Sequence, residues 1–523
     1  MKPFTLILQD YSKIMIKLSF NSRQRIQNHT LTYVFAIFTL MIILYLPMVK
    51  PVTGNEENYV GYAWRSLNPS NFSALIDPAN HRFLFKSMTS FWIDQFGFRN
   101  AVIIGRFLVT LLYSISLGLF FKKLGLSIIS SCIIILSFIY LGQDILGGEW
   151  LFLGYEPKTL AYPFVFLGFS ALLSYRFLLS YLCLVVATYF HFLVGGFWFL
   201  AILLGHFYYS RRVREVLLYS SSFVILCLPL VVMIGIDQFQ NNASLTNSDI
   251  SPNLIYAIRA PHHIAPFFNL NALYGWSNGI VLLLGITFAS AIIYYFSNSD
   301  KKEEKSLYLL VLLLNLYLLL SLVLSYFDQT VTSFALGKLY LFRPSSLTLL
   351  LFLSALWIFI KKSITSNSLK IDLIILALLV SLTLPMAKGN WARLISPFLE
   401  KNNQEAQKPI EEVVAKSNIN DIFLIDPDIS WSSFGLSFER TYNRPTLATW
   451  KFVPTTKQSL VRWYELIQQK RELFKQGCPA EITNRFPIKY LIAKPNNTAV
   501  DSCGKIILGT SEIKVIKTSE NKV

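Results

Sequence analysis

Long apolar runs alternate with polar loops along the first three quarters of the chain. The runs fall at 31–49, 102–121, 124–143, 159–175, 177–192, 195–210, 216–235, 277–297, 306–327, 345–360 and 371–387. Most approach the twenty or so residues a helix needs to cross the ~30 Å hydrocarbon core of a bilayer. The pattern predicts a mainly α, polytopic membrane helix bundle of about eleven spans. The loops between runs are of two kinds. One kind is short and basic: Lys122-Lys123, Arg176, Arg211 to Arg214, Lys301 to Lys305 and Lys361 to Lys370. The other kind is longer, covers 50–101, 144–158, 236–276 and 328–344, and carries the unusual polar residues.

Charge orients the pattern. Residues 1–30 carry Lys2, Lys13, Lys17, Arg23 and Arg25 ahead of the first run. The positive-inside rule therefore predicts a cytoplasmic N-terminal segment, short basic loops on the same side and long loops on the other. That stretch has neither the apolar core nor the small-residue site of a cleavable signal peptide. With an odd number of spans within 31–387, residues 388–523 are expected on the extracytoplasmic side. The chain is 53% hydrophobic and only 15% charged, far below the charge content of soluble domains. Its net charge of +17 follows from the basic inside loops, so it does not predict nucleic-acid binding.

The C-terminal region changes period. Asp421 to Pro427, DIFLIDP, reads as a buried strand ending in a turn. Leu460, Trp463, Leu466 and Leu473 share one face of a helix over 459–475. Short strands follow at 489–493, 505–508 and 513–516. Together they predict a small α/β domain large enough to hold its own core. Cys132, Cys183 and Cys227 lie in apolar runs and read as small buried hydrophobes, whereas Cys478 and Cys503 both lie in this domain. An extracytoplasmic location allows a disulfide between those two.

The long loops hold the candidate chemistry. The first opens with GNEENYVGYAW, placing Glu56 and Glu57 just after a span. Carboxylates there act as general base or hold a divalent cation such as Mg or Mn, or simply favour a helix N-terminus. The second loop packs Glu149, Glu156 and Lys158 among Trp150, Phe152 and Tyr155. Aromatic faces beside carboxylates suit a sugar, and a structural Glu–Lys or Glu–Arg pair is the plainer alternative. The next loop contains RAPHHIAP, where Arg259, His262 and His263 form a set suited to a phosphate or pyrophosphate. No spacing there supports zinc. Arg343, ahead of the next span, either snorkels to headgroups or joins Arg259 around one phosphate. His191, in YFHFLVGG, lies near the outer end of its run and either faces the same cavity or bonds within the bundle.

This layout resembles the GT-C class of integral membrane glycosyltransferases. It shares their many spans, cytoplasmic N-terminus, acidic first outer loop and extracytoplasmic C-terminal domain. Here GNEENY occupies the place of the class's acidic motif, with Glu-Glu where an Asp is usual. The resemblance implies a sugar linked to polyprenyl phosphate or polyprenyl pyrophosphate as donor, held with its tail in the membrane, and an acceptor at the outer face. It implies that Glu56 or Glu57 acts as base or metal ligand and that Arg259, His262, His263 and Arg343 neutralise the leaving phosphate. Glu149, Glu156, Lys158 and His191 would complete the substrate site. GYEPKTLAYPFVF, YFHFLVGG, RAPHHIAP and RPTLATWKFVP also resemble loops of an uncharacterised bacterial multi-span family, pointing to a bacterial inner (plasma) membrane. A non-catalytic or flippase-like part in envelope polysaccharide assembly, or a transporter, are the alternatives. The chain lacks a P-loop, a dinucleotide fingerprint, a nucleophile elbow and a metalloprotease motif.

Overall fold

The structure is a computed structural model. It describes residues 30–42, 54–68, 82–152, 154–240, 250–297, 301–363, 369–395, 409–429, 433–454, 456–477 and 488–518. The expectations for the N-terminal segment, for the end of the first run and for Cys478 lie outside the described residues.

The bundle is helical throughout. It comprises α1 (Thr30–Leu40), α2 (Gly54–Leu67), α3 (Phe83–Phe96), α4 (Phe98–Lys123), α5 (Ile128–Tyr140), α6 (Pro157–Leu172), α7 (Phe177–Phe190) and α8 (Phe192–Ser210). It continues with α9 (Val213–Gln240), α10 (Pro252–Arg259), α11 (Pro261–Ile264), α12 (Leu270–Phe296), α13 (Lys302–Thr330), α14 (Ser345–Ser363) and α15 (Leu369–Ile395). Among the described residues six helices are long and apolar enough to cross a membrane: α4, α8, α9, α12, α13 and α14. They fit a multi-pass membrane protein. The expected count of about eleven is not confirmed among the described residues, where several apolar runs fold as shorter helices. At 1.5 Å per residue, α5 with 13 residues and α7 with 14 fall short of the hydrocarbon thickness. The apolar run over 124–143 does not continue as helix because the chain turns at Leu141 and Gly142, which has φ +84°.

Helices α4, α6, α7 and α8 form the centre of the bundle. Tyr113, Phe120, Phe166, Phe169 and Trp198 are buried there in edge-to-face and tilted contacts. In contrast, α9 and α12 leave Leu218, Ile225, Val281 and Phe288 exposed, as lipid-facing surfaces do. One close approach sets the position of the loop before α6. A Cβ built on Gly105 of α4 would lie 2.4 Å from the Tyr155 ring. That ring stacks on Trp92, and its hydroxyl lies 2.7 Å from Thr89 Oγ1. A Gly105→Ala variant is therefore expected to displace Tyr155 and lose about 1–3 kcal/mol, read as a lowered thermal midpoint.

The C-terminal part is a four-stranded sheet of β1 (Ile422–Ile425), β2 (Ile488–Ala493), β3 (Gly504–Gly509) and β4 (Lys514–Thr518), ordered β1-β2-β4-β3. The β1–β2 pair is parallel and the other two are antiparallel. All four residues of β1 are buried, because helices cover both faces near it. Ile422 and Leu424 meet Leu466 and Leu473 of α18 (Lys457–Gln476), while Phe423 and Ile425 meet Ile410 of α16 (described over 409–415) and Phe438 on the other side. Phe438 belongs to α17 (Ser433–Tyr442). Cys503 is disulfide-bonded, and Cys132, Cys183 and Cys227 are free thiols.

This part is fixed to the bundle by charge and by packing. Arg440 donates to both carboxylate oxygens of Glu57, at 2.8 and 3.1 Å, and Arg65 donates to Glu439 at 2.6 Å. Ile255 of α10 packs on Leu460, Trp463, Tyr464 and Ile467 of α18. These contacts lay the segment 449–454 across one end of the bundle.

Candidate functional site

At that end lies a cavity of about 410 Å3, walled by α2, the 149–158 loop, α10, α11, the 338–343 loop and the 449–454 segment. It gathers Glu149, Glu156, Lys158, His191, Arg259, His262, His263 and Arg343. All eight side chains expected to bind substrate thus line one space. Glu56 and Glu57 are not among its lining residues.

Each residue reaches the cavity for a local reason. Glu156 is the N-cap of α6, with Pro157 in the first turn and Thr159 Oγ1 accepting from the Glu156 N–H at 3.1 Å. Arg259 ends α10, whose start is capped by Ser251 accepting from Asn253 N–H. The two histidines follow at once on α11, a single turn begun by Pro261. His191 is the extended hinge between α7 and α8 and caps α8 through the Val194 N–H at 3.4 Å.

Glu149 is the hub of a buried ion-pair network. Lys158 Nζ donates to it at 3.1 Å and Arg343 at 3.2 Å, and His263 lies 4.0 Å away. Burial would raise its pKa, but Arg343, Lys158 and His263 outweigh that and hold it below the ordinary carboxylate range. Lys158 also sits 3.5 Å from the centre of the Trp150 ring. Burial pushes His263 down to about 3 against the pull of Glu149, so the ring is neutral at pH 7. Its Nδ1 lies 2.6 Å from the Gly147 carbonyl oxygen. A carbonyl only accepts, so Nδ1 carries the hydrogen and Nε2 is left as an acceptor. Burial, Arg259 and Lys451 together lower His262.

Glu156 differs from Glu149. It is fully buried, and its carboxylate lies over the first turn of α6 in a capping-box arrangement with Thr159. Among the described residues neither oxygen makes a hydrogen bond of good geometry. Burial pushes its pKa up to about 7, with Lys158, Asn55 and Lys451 opposing and Glu56 adding to the rise. A carboxyl that titrates near neutrality and opens onto a cavity is suited to proton transfer.

Glu56 and Glu57 are engaged elsewhere. Arg106 grips both oxygens of the fully buried Glu56, its Nε donating at 2.6 Å, and the Tyr155 N–H donates at 2.7 Å. Gly154, at φ +80°, lets the loop pass over it: a Cβ there would lie 2.7 Å from a Glu56 oxygen. Glu57 is taken by Arg440. With guanidinium groups on both carboxylates, these two residues do not make a cation site. Among the described residues no group of three or more His, Cys, Asp or Glu gathers as metal ligands.

Several lining residues, among them three cations, were not singled out as substrate contacts in the sequence. Lys451 comes from the C-terminal part, and Lys338, Arg82 and Tyr59 come from the loops and α2. Arg82 lies 4.6 Å from the Tyr59 ring centre and Lys338 5.3 Å from that of Tyr256. No family model matches this chain, and no curated protein matches it. The functional argument therefore rests on the cavity.

Proposed function

We propose that the chain is an integral membrane glycosyltransferase. It moves a sugar from a polyprenyl-phosphate donor to an acceptor at the extracytoplasmic face of a bacterial inner membrane. The observation that carries this reading is the pairing, in one cavity, of a buried, protonatable carboxyl, Glu156, with the cations Arg259, Arg343 and Lys451. The walls add Trp150, Tyr59, Tyr256 and Tyr340, flat faces of the kind on which sugar rings stack.

In this reading the acceptor oxygen attacks the anomeric carbon as the bond from that carbon to the phosphate oxygen breaks. The acceptor proton passes to the Glu156 carboxylate, and the departing phosphate keeps the bonding electron pair. Arg259 and His262 stabilise the charge that develops there. The Glu149 network holds Lys158 and Arg343 in fixed geometry at the other wall, so that little reorganisation accompanies the reaction. Glu56 and Glu57 serve as supports. Glu56 holds the loop that presents Glu156, and Glu57 fastens the C-terminal part over the cavity.

Binding of polyprenyl phosphate to the full chain in nanodiscs tests the site. Arg259→Ala is expected to weaken it by about tenfold or more, the loss of one charge-assisted contact. Unchanged affinity would remove Arg259 from the donor site.

A further inference from the structure

The cavity carries more positive charge than one phosphate requires. Six cationic side chains line it: Arg82, Lys158, Arg259, Lys338, Arg343 and Lys451. Only two carboxylates, Glu149 and Glu156, do so, an excess of four positive charges with both ionised. The charges are also unevenly placed. Glu149 takes both Lys158 and Arg343. Among the described residues Arg82, Arg259, Lys338 and Lys451 stand in no ion pair, and the buried Nε atoms of Arg82, Arg259 and Arg343 have no hydrogen-bond partner.

The unpaired cations come from separate parts of the chain. Arg259 ends α10, Lys338 lies in the short 3-10 turn Gly337–Leu339, and Lys451 is carried by the segment that the C-terminal part lays over the cavity. Arg259 and Lys451 each bear on His262, and on one another, electrostatically. Like charges brought together out of water repel, so this arrangement favours a ligand that supplies several negative charges.

We propose that the cavity is built for a diphosphate rather than a single phosphate, and that Lys451 is the residue that reads the second phosphate. The inference rests on the donor-site reading above and sharpens its substrate class. A diphosphate-linked donor brings two negative charges and leaves with three. A monophosphate-linked one brings one and leaves with two. Only the former approaches the excess lining the cavity. Because Lys451 belongs to the C-terminal part, the second phosphate is recognised across the junction between that part and the bundle.

The test uses the full chain in nanodiscs of phosphatidylcholine, which adds no net anionic headgroup, titrated with inorganic pyrophosphate and with orthophosphate by calorimetry. Pyrophosphate is expected to bind at least about tenfold more tightly. Lys451→Ala should erase most of that preference while changing orthophosphate affinity by less than about threefold. Lys451→Arg, which keeps the charge, should restore the preference. Thermal unfolding of each variant checks that the chain is folded. Equal affinities in the unmodified protein, or a preference that survives Lys451→Ala in the folded variant, would overturn the inference and leave the phosphate site standing. Binding of neither anion would overturn both.

Discussion

Glu156→Gln is expected to fold and to lose about two to four orders of magnitude in transfer rate, the range for removing a general base. The amide keeps the size of the carboxyl but takes no proton. The same change should make the protein more stable in alkaline solution. Burial raises the folded-state pKa of Glu156 from 4.5 to about 7. A carboxyl so raised favours folding while it is protonated, and that contribution disappears as pH climbs through about 7. At pH 8 the unmodified protein must therefore hold a buried charge at Glu156, and the Gln variant does not. The variant should gain on the order of 1–3 kcal/mol at pH 8 and little at pH 5. In the unmodified enzyme the rate should rise with pH through about 7 and then level, because the base must be ionised. An inactive variant that is also more stable separates a working carboxylate from a structural one. Loss of stability at pH 8 would show that the charge of Glu156 serves the fold.

The second large effect lies at Arg106. Arg106→Met removes the guanidinium that grips both oxygens of the fully buried Glu56 carboxylate. Removing one partner of a buried ion pair costs about 3–5 kcal/mol. Adding Glu56→Gln to Arg106→Met removes the buried negative charge and should recover most of the loss. Melting of the three variants in nanodiscs measures this directly. A single Arg106→Met variant as stable as the unmodified protein would contradict the pairing. Glu57→Gln should act differently, loosening the contact with Arg440 while leaving Glu156 in place.

Much of this architecture is visible in the sequence, because each part obeys a short-range rule. Helix period and run length mark the long helices. The short continuous apolar run in DIFLIDP marks β1, and the apolar face of 459–475 marks α18. The loops that hold Glu149, Glu156, Arg259, His262, His263 and Arg343 are marked by polar residues placed where a bundle is otherwise apolar. What cannot be read locally is pairing at a distance. The partner of Glu56 stands fifty residues on, and that of Glu57 lies in the C-terminal part. Two adjacent carboxylates therefore read as a catalytic pair when each is already matched. One signal was present: Arg106 interrupts the apolar run of α4, and a charge at such a position demands a counterion. Lys451 had no such mark, since TWKFVP differs little from any surface turn. The shortness of α5 and α7 is equally hard to see, because apolar side chains continue past the turns that end them.

The central claim is that the cavity performs sugar transfer with Glu156 taking the proton. The most direct test presents radiolabelled sugars linked to polyprenyl phosphate and to polyprenyl diphosphate, in nanodiscs, to the unmodified chain and to Glu156→Gln, and measures transfer of label to cell-envelope acceptor extract. The account predicts transfer by the unmodified chain that rises with pH through about 7, and almost none by the folded Gln variant. Equal transfer by the two proteins would contradict it.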